Sequence, residues 1–184
     1  MHKFAKGGAL ALVLLAALAA AMLAFASGSY AQIPGESASG HGTLTRFNED
    51  GDAVKRQFSF AARVHADGTV TGHAVLINPA FEGENGNAYQ LHVDISCMQV
   101  VGNIAIFGGT TKRTNDPNLV DAVFFTVQDN GEPGKNSDKI SSVFFWDDDP
   151  TTTGDPQACL LTAPLAFPLE TIEAGNIQVQ PTGL

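Results

Sequence analysis

The chain has 184 residues, with 10 Lys and Arg against 19 Asp and Glu, a net charge of −9 and 44% hydrophobic residues. That length fits one domain with a real core, and that charge repels nucleic acid and anionic lipid, which excludes both as partners. Two readings of the acidity stay open, plain solubility and a calcium-related role.

Residues 1–8 carry Lys3 and Lys6 and no acid, and residues 9–26 form an unbroken apolar run rich in Ala and Leu. Ser29 and Ala31 then stand at the −3 and −1 positions before Gln32, which completes the three-part pattern of a secretory signal peptide cut between Ala31 and Gln32. A retained membrane anchor is the alternative, because the run is near bilayer-spanning length. The small-residue site favours cleavage, no basic stop flank follows, and no cysteine follows the run to take a lipid. The expectation is a signal peptide over 1–31, a flexible lead over 32–40 and a single β domain over 41–184, secreted or periplasmic. Removing Lys3 and Lys6 leaves 153 residues with a net charge of −11 and no other long apolar segment, so no membrane contact is expected after cleavage.

From there the sequence predicts strand after strand. A short one over about 42–47 ends at the turn Asn48-Glu49-Asp50-Gly51-Asp52. Phe58, Phe60, Ala62 and Val64 alternate with Gln57, Ser59, Ala61, Arg63 and His65, a period of two with one buried face. Ala66-Asp67-Gly68 turns the chain into a strand over 69–77, giving a hairpin, and residues 78–87 form a longer loop. Tyr89, Leu91, Val93, Ile95 and Cys97 share one side of the next strand, so Cys97 is expected on the core face. Val101-Gly102-Asn103 turns into a strand over 104–110, a polar excursion covers 111–118, and 122–127 is a further strand. Ile140, Phe144 and Trp146 are expected on a core face, residues 147–156 form an acidic loop, and 175–180 is a closing strand. No apolar helical period persists outside the leader. The fold class expected is all-β, an antiparallel β-sandwich or small β-barrel of about eight strands.

The densest group of turn residues is Asp129-Asn130-Gly131-Glu132-Pro133-Gly134. Asn130-Gly131 takes positive φ cheaply and Pro133-Gly134 suits the centre of a type II turn, so the chain reverses here between two core strands. Asp129, Glu132 and Asp138 bracket that turn and offer hard oxygen ligands to calcium, without EF-hand spacing. The competing role is structural, with Asp129 capping the turn through its own side chain.

Cys97 and Cys159 make an even count in an exporting context and read as one disulfide, with a buried thiol pair as the alternative. Such a link closes a loop of about 60 residues and stabilises by roughly 4 kcal/mol in the chain-entropy model. Their spacing matches no zinc pattern. No nucleophile elbow, His-Glu-x-x-His or phosphate-cradling loop is present, so no catalytic residue is assigned. His73, His92 and Asp94 suggest a metal or acid–base site, but alternation places His92 and Asp94 on the face away from Leu91 and Val93, where solvated side chains are the better account. Asp147-Asp148-Asp149 reads as a solvated acidic loop.

The order of Phe58-Ser59-Phe60-Ala61-Ala62-Arg63, Asp67-Gly68-Thr69-Val70-Thr71-Gly72-His73, Cys97, Val101-Gly102-Asn103-Ile104-Ala105, Asp129-Asn130-Gly131-Glu132-Pro133-Gly134 with Asp138, and Gly175-Asn176-Ile177-Gln178-Val179 resembles the post-COAP domain family. The resemblance covers most of the chain after the leader, with a longer stretch between Trp146 and Gly175 than the family pattern. It implies a secreted or surface-associated bacterial β domain and transfers no catalytic residue.

Two functions follow. One is a non-enzymatic, secreted or cell-surface-associated module whose loops over 78–87 and 147–156 contact an extracellular macromolecule from a rigid scaffold. The other is a small barrel carrying an apolar ligand, or a cavity enzyme. The bulk of Phe58, Phe60, Phe124, Phe125, Phe144, Phe145 and Trp146 favours a filled interior and the first.

Overall fold

The computed structural model describes residues 32–82, 86–115, 119, 121–145 and 154–182. The expected leader over 1–31 with its expected cleavage residue Ala31, Trp146 and the acidic run Asp147-Asp148-Asp149 lie outside the described residues.

Ten strands build one antiparallel sheet: β1 (Ser37–Phe47), β2 (Ala53–Val64), β3 (Val70–Glu82), β4 (Ala88–Val101), β5 (Ile104–Thr114), β6 (Ala122–Gln128), β7 (Lys139–Ser141), β8 (Phe144–Phe145), β9 (Leu169–Thr171) and β10 (Ala174–Gln180). Their order is β10-β1-β2-β3-β4-β5-β6-β7-β9, with β8 on β6. The protein is thus all-β, as expected, and its sheet folds around one core without closing into a barrel. β1 begins at Ser37, inside the expected flexible lead, because residues 37–43 pair with both β2 and β10. Likewise β3 runs to Glu82, into the expected loop, across a register shift between Asn78 and Glu82.

Local chemistry sets the hairpins. At the β1–β2 turn the Asp52 N–H donates to Asn48 Oδ1 at 2.7 Å while Gly51 takes φ 84°. At the β2–β3 turn Asp67 Oδ1 accepts from the Thr69 N–H and hydroxyl at 3.0 and 2.7 Å, which holds the Asp67 carboxyl below its usual range.

Alternation sends Phe58, Phe60, Ala62 and Val64 of β2, Ala74 and Leu76 of β3, and Leu91, Val93 and Ile95 of β4 inward. The centre is a cluster of rings: Phe60 lies 5.2 Å from Phe107 and 5.9 Å from Phe125, and those two stack at 4.6 Å. Each such buried ring contributes roughly 2–3 kcal/mol by desolvation alone. Gly40 and Gly42 face inward opposite Phe60 and Phe58, whose rings occupy the space that side chains there would need.

The inward parity of β4 changes at Ser96. Ile95 pairs with Gly109 and Cys97 with Gly108, so an extra residue is inserted; Met98 then joins the core and Cys97 turns to the opposite face. There Cys97, Ile106, Ala122, Phe124 and Cys159 form a second apolar cluster, corrected from the core-face position expected for Cys97. The Cys97–Cys159 disulfide, with a Cα–Cα distance of 6.2 Å, fastens a 3-10 helix (Pro156–Leu161) onto the outside of β4, β5 and β6. The helix lies so close that a side chain at Gly108 would enter the Pro156 carbonyl. This cover explains why β6 is buried on both faces. Phe124 belongs to this outer cluster, and Phe144, expected on the core face, stacks on Phe167 at 4.3 Å outside. Phe145 packs against the core instead, because β8 pairs Val123 with Phe145.

Candidate binding face and the seam that fixes it

β10 and β9 stand at opposite ends of the strand order, yet only Ile172 and Glu173 connect them in sequence. The two ends of the sheet therefore meet, and side chains hold the junction where no ladder does. Alternate N–H groups of β10 point away from β1, and two of them donate to carboxylates of the 129–138 turn: Ile177 to Asp138 Oδ2 at 2.8 Å and Val179 to Asp129 Oδ2 at 3.0 Å. The other oxygens fold the turn itself. Asp138 Oδ1 accepts from the Asn130 N–H at 2.9 Å and Asp129 Oδ1 from the Gly131 N–H at 2.8 Å. Asp138 is fully buried. Glu132 Oε1 accepts from the Asn176 amide at 2.7 Å, and the Gly134 N–H donates to Asn176 Oδ1 at 3.0 Å.

The turn residues thus act differently from the expected type II geometry. Gly131 takes φ 90°, but at Gly134 the requirement is space, since a side chain would run into the Asp138 carboxylate and the Asn176 amide. Glu132–Pro133 is a cis peptide and the positive φ after it falls on Asn136, at 63°. The calcium candidates Asp129, Glu132 and Asp138 instead serve as acceptors for β10, and among the described residues no group of three or more His, Cys, Asp or Glu is placed to hold a metal.

The far end of the seam is closed by opposite charges. Arg46 of β1 reaches Glu170 of β9 and donates to the Ser142 hydroxyl at 3.2 Å. Arg56, 1% exposed on the inner face of β2, donates to the Ser141 carbonyl at 2.6 Å; burial pulls its guanidinium down to about 10, with Glu170 opposing and Arg46 adding to the fall. It stays charged at neutral pH. Glu173 accepts from the Lys55 ammonium and from the Thr45 hydroxyl and N–H, which lower its carboxyl to about 2. Glu36, 2% exposed at the start of β1, is pushed up by burial, the Ile33 backbone opposing.

Fixing β10 completes an outer face across β10, β1, β2, β3 and β4. Register lays its side chains in four rows: Gln180, Ser37, Arg63 and Thr71; then Gln178, Ser39, Ala61, His73 and Asp94; then Asn176, His41, Ser59, Val75 and His92; then Ala174, Thr43, Gln57, Ile77 and Gln90. Arg63 and Asp94 are the only formal charges in these rows, in a chain with 29 charged side chains. The short residues leave depressions of 630, 390 and 400 Å³, and neighbouring depressions share lining residues, Ser39 and Gln178 at one junction and His41 and Ser59 at the other. Together they form one open trough along the strands. With three row steps of two residues each, it extends about 20 Å.

Within the trough, Ser37 donates to Gln180 at 3.0 Å, His65 Nε2 meets the Thr71 hydroxyl at 2.6 Å, and Asp94 is paired with Lys112 at 2.9 Å. Among the described residues the side chains of Ser39, His41, Ser59, Arg63 and His73 make no hydrogen bond or ion pair, which leaves their donors and acceptors available. His73 stands directly opposite Asp94, and His92 is one row away on the same outer face. Sequence reasoning did not nominate the trough. Its signal was the choice of Ser, Ala, Thr, Gln and His at outward positions where a solvated sheet face ordinarily carries Lys and Glu.

No known family model, no curated protein and no solved structure matches the chain, so the face is interpreted from its own geometry.

Proposed function

We propose that the protein is an exported, non-enzymatic binding domain that takes its ligand in the outer-face trough. The observation that carries this is the trough's lining: a nearly uncharged array of hydroxyl, amide and imidazole groups, several without partners, on a sheet made rigid by ladders and seam. Each depression has a volume in the range of small-molecule sites, and their joint length suits a chain-like ligand. The signal-peptide pattern and the disulfide support an extracytoplasmic setting. The carrier reading has less support, because the rings of Phe60, Phe107 and Phe125 occupy the centre where an apolar guest would sit.

An NMR titration of isotope-labelled 32–184 with neutral sugars, acidic sugars and fatty acids tests the proposal. The expected result is shifts confined to amides of residues 37–43, 57–63, 71–75 and 176–180. Fatty-acid shifts centred on Phe107 and Phe125 would instead establish the carrier.

A further inference from the structure

We infer that the trough's ligand is an acidic polysaccharide segment, with Arg63 reading a sugar carboxylate and the neighbouring hydroxyl and imidazole groups reading the ring hydroxyls. The inference rests on the trough being the binding site.

Arg63 is exposed and lines the 630 Å³ depression. In its row it sits between Ser37 and Thr71, both neutral, and among the described residues it has no carboxylate partner, although the chain has nearly twice as many acids as bases. Arg46, Lys55 and Lys112, which do reach an acid, lie outside the trough's lining, as do Arg113, Lys135 and Lys139. Asp94, the acid lining the same depression, is already neutralised by Lys112. An unpaired guanidinium offers a planar fork that matches a carboxylate in two parallel hydrogen bonds. One free cation among neutral groups fits a chain whose carboxylates are spaced by neutral sugars rather than a phosphate polymer, whose charge on every unit meets more of the repulsion from the net charge of −11 of residues 32–184.

An extended peptide fits less well. Peptides commonly add to a free strand edge, and on the sheet's β10 side the outward N–H groups of Ile177 and Val179 are already taken by Asp138 and Asp129. Along the trough, Ser39, Ser59, His41 and His73 are available as donors and acceptors over about 20 Å, a pattern that matches successive sugar hydroxyls.

The test is calorimetric titration of 32–184 with a hyaluronate oligomer, whose carboxylates alternate with neutral sugars, and its fully methyl-esterified counterpart, repeated with unsulfated chondroitin oligomers. The acid forms should bind, the methyl ester about tenfold more weakly, and Arg63→Gln should lower acid affinity by about tenfold while bringing acid and ester together. Ser39→Trp should abolish both, with an unchanged melting midpoint showing that the fold is intact. Equal affinity for acid and ester in the parent protein overturns the inference and leaves the trough standing as a neutral-ligand site. Binding of none of the acidic oligomers also overturns it. Acid binding that survives Ser39→Trp, with amide shifts away from residues 37–43 and 57–63, removes the trough itself.

Discussion

The patch beneath the 3-10 helix and the seam between β6–β7 and β10 both complete a sheet that its ladders leave unfinished, by different chemistry. At the patch a covalent bond, Cys97–Cys159, holds an apolar cover on β4, β5 and β6, and the interface is carbon and sulfur. At the seam, carboxylates of Asp129 and Asp138 stand in for the missing strand, accepting the two N–H groups of β10 that no carbonyl reaches. The first closure is insensitive to pH and lost on reduction. The second rests on two hydrogen bonds, at 2.8 and 3.0 Å, each of which one substitution removes. The proposed binding face lies on the seam side, so its shape depends on the carboxylate closure.

Reduction offers the largest break. Replacing Cys97 and Cys159 by Ala should cost about 4 kcal/mol of unfolding free energy on the chain-entropy account, measured by urea denaturation. The trough amides should keep their chemical shifts in the surviving folded state.

Next comes Asp138→Ala, which leaves the N–H groups of Asn130 and Ile177 without acceptors in a buried site and should cost about 3 kcal/mol. Asp129→Ala, at a less buried position, should cost about 1–2 kcal/mol. If both changes were neutral, the seam would owe its closure to the covalent link through Ile172 and Glu173 alone. Gly134→Ala should behave like a mild Asp138 variant, since the added methyl displaces that carboxylate. Gly131→Ala meets nothing in space and should cost about 1 kcal/mol through its φ of 90°.

Acidity separates the closures further. Glu173 has a depressed carboxyl, so its contribution is present above its usual value near 4.5 and lost as pH falls toward about 2. Glu173→Gln should flatten the fall in melting midpoint over that window. Glu36 has the opposite sign: its raised carboxyl favours the fold below about 4.5 and loses that contribution as pH climbs through its raised value. Glu36→Gln should therefore raise the melting midpoint at neutral pH and leave it unchanged in acid. The smallest effect belongs to the face itself, where Arg63→Gln should shift stability by no more than about 0.5 kcal/mol, because the side chain is exposed and, among the described residues, has no hydrogen bond or ion pair to lose.

Much of the architecture was legible in the residues. The alternation of Phe58, Phe60, Ala62 and Val64 and the pairing of Asp67-Gly68 with its flanks gave β2, its hairpin and the buried face. Cys97 shows where the reading failed. A bulge at Ser96 inverts the parity of β4, and period-two reasoning contains no signal for an inserted residue. The short β9 escaped because three residues carry no period, and the strand expected after the turn appears as two short ones, β7 and β8. At the turn, the local half of Asp129's role was visible, a side chain capping its own loop, whereas its bond to Val179, 50 residues away, depends on how the sheet folds over. The trough was hidden for a related reason. Polar residues on outward positions are ordinary, and their smallness becomes a groove only when register stacks Ser39 beside Ala61 and Gln178.

Amide hydrogen exchange at Ile177 and Val179 tests the seam most directly. Both outward N–H groups on the β10 edge should be strongly protected in the parent protein, equally so with calcium or a chelator, and Asp138→Ala and Asp129→Ala should each release the amide that its carboxylate holds. Rapid exchange at Ile177 and Val179 in the parent protein, or protection that needs calcium, would contradict closure by the carboxylates alone.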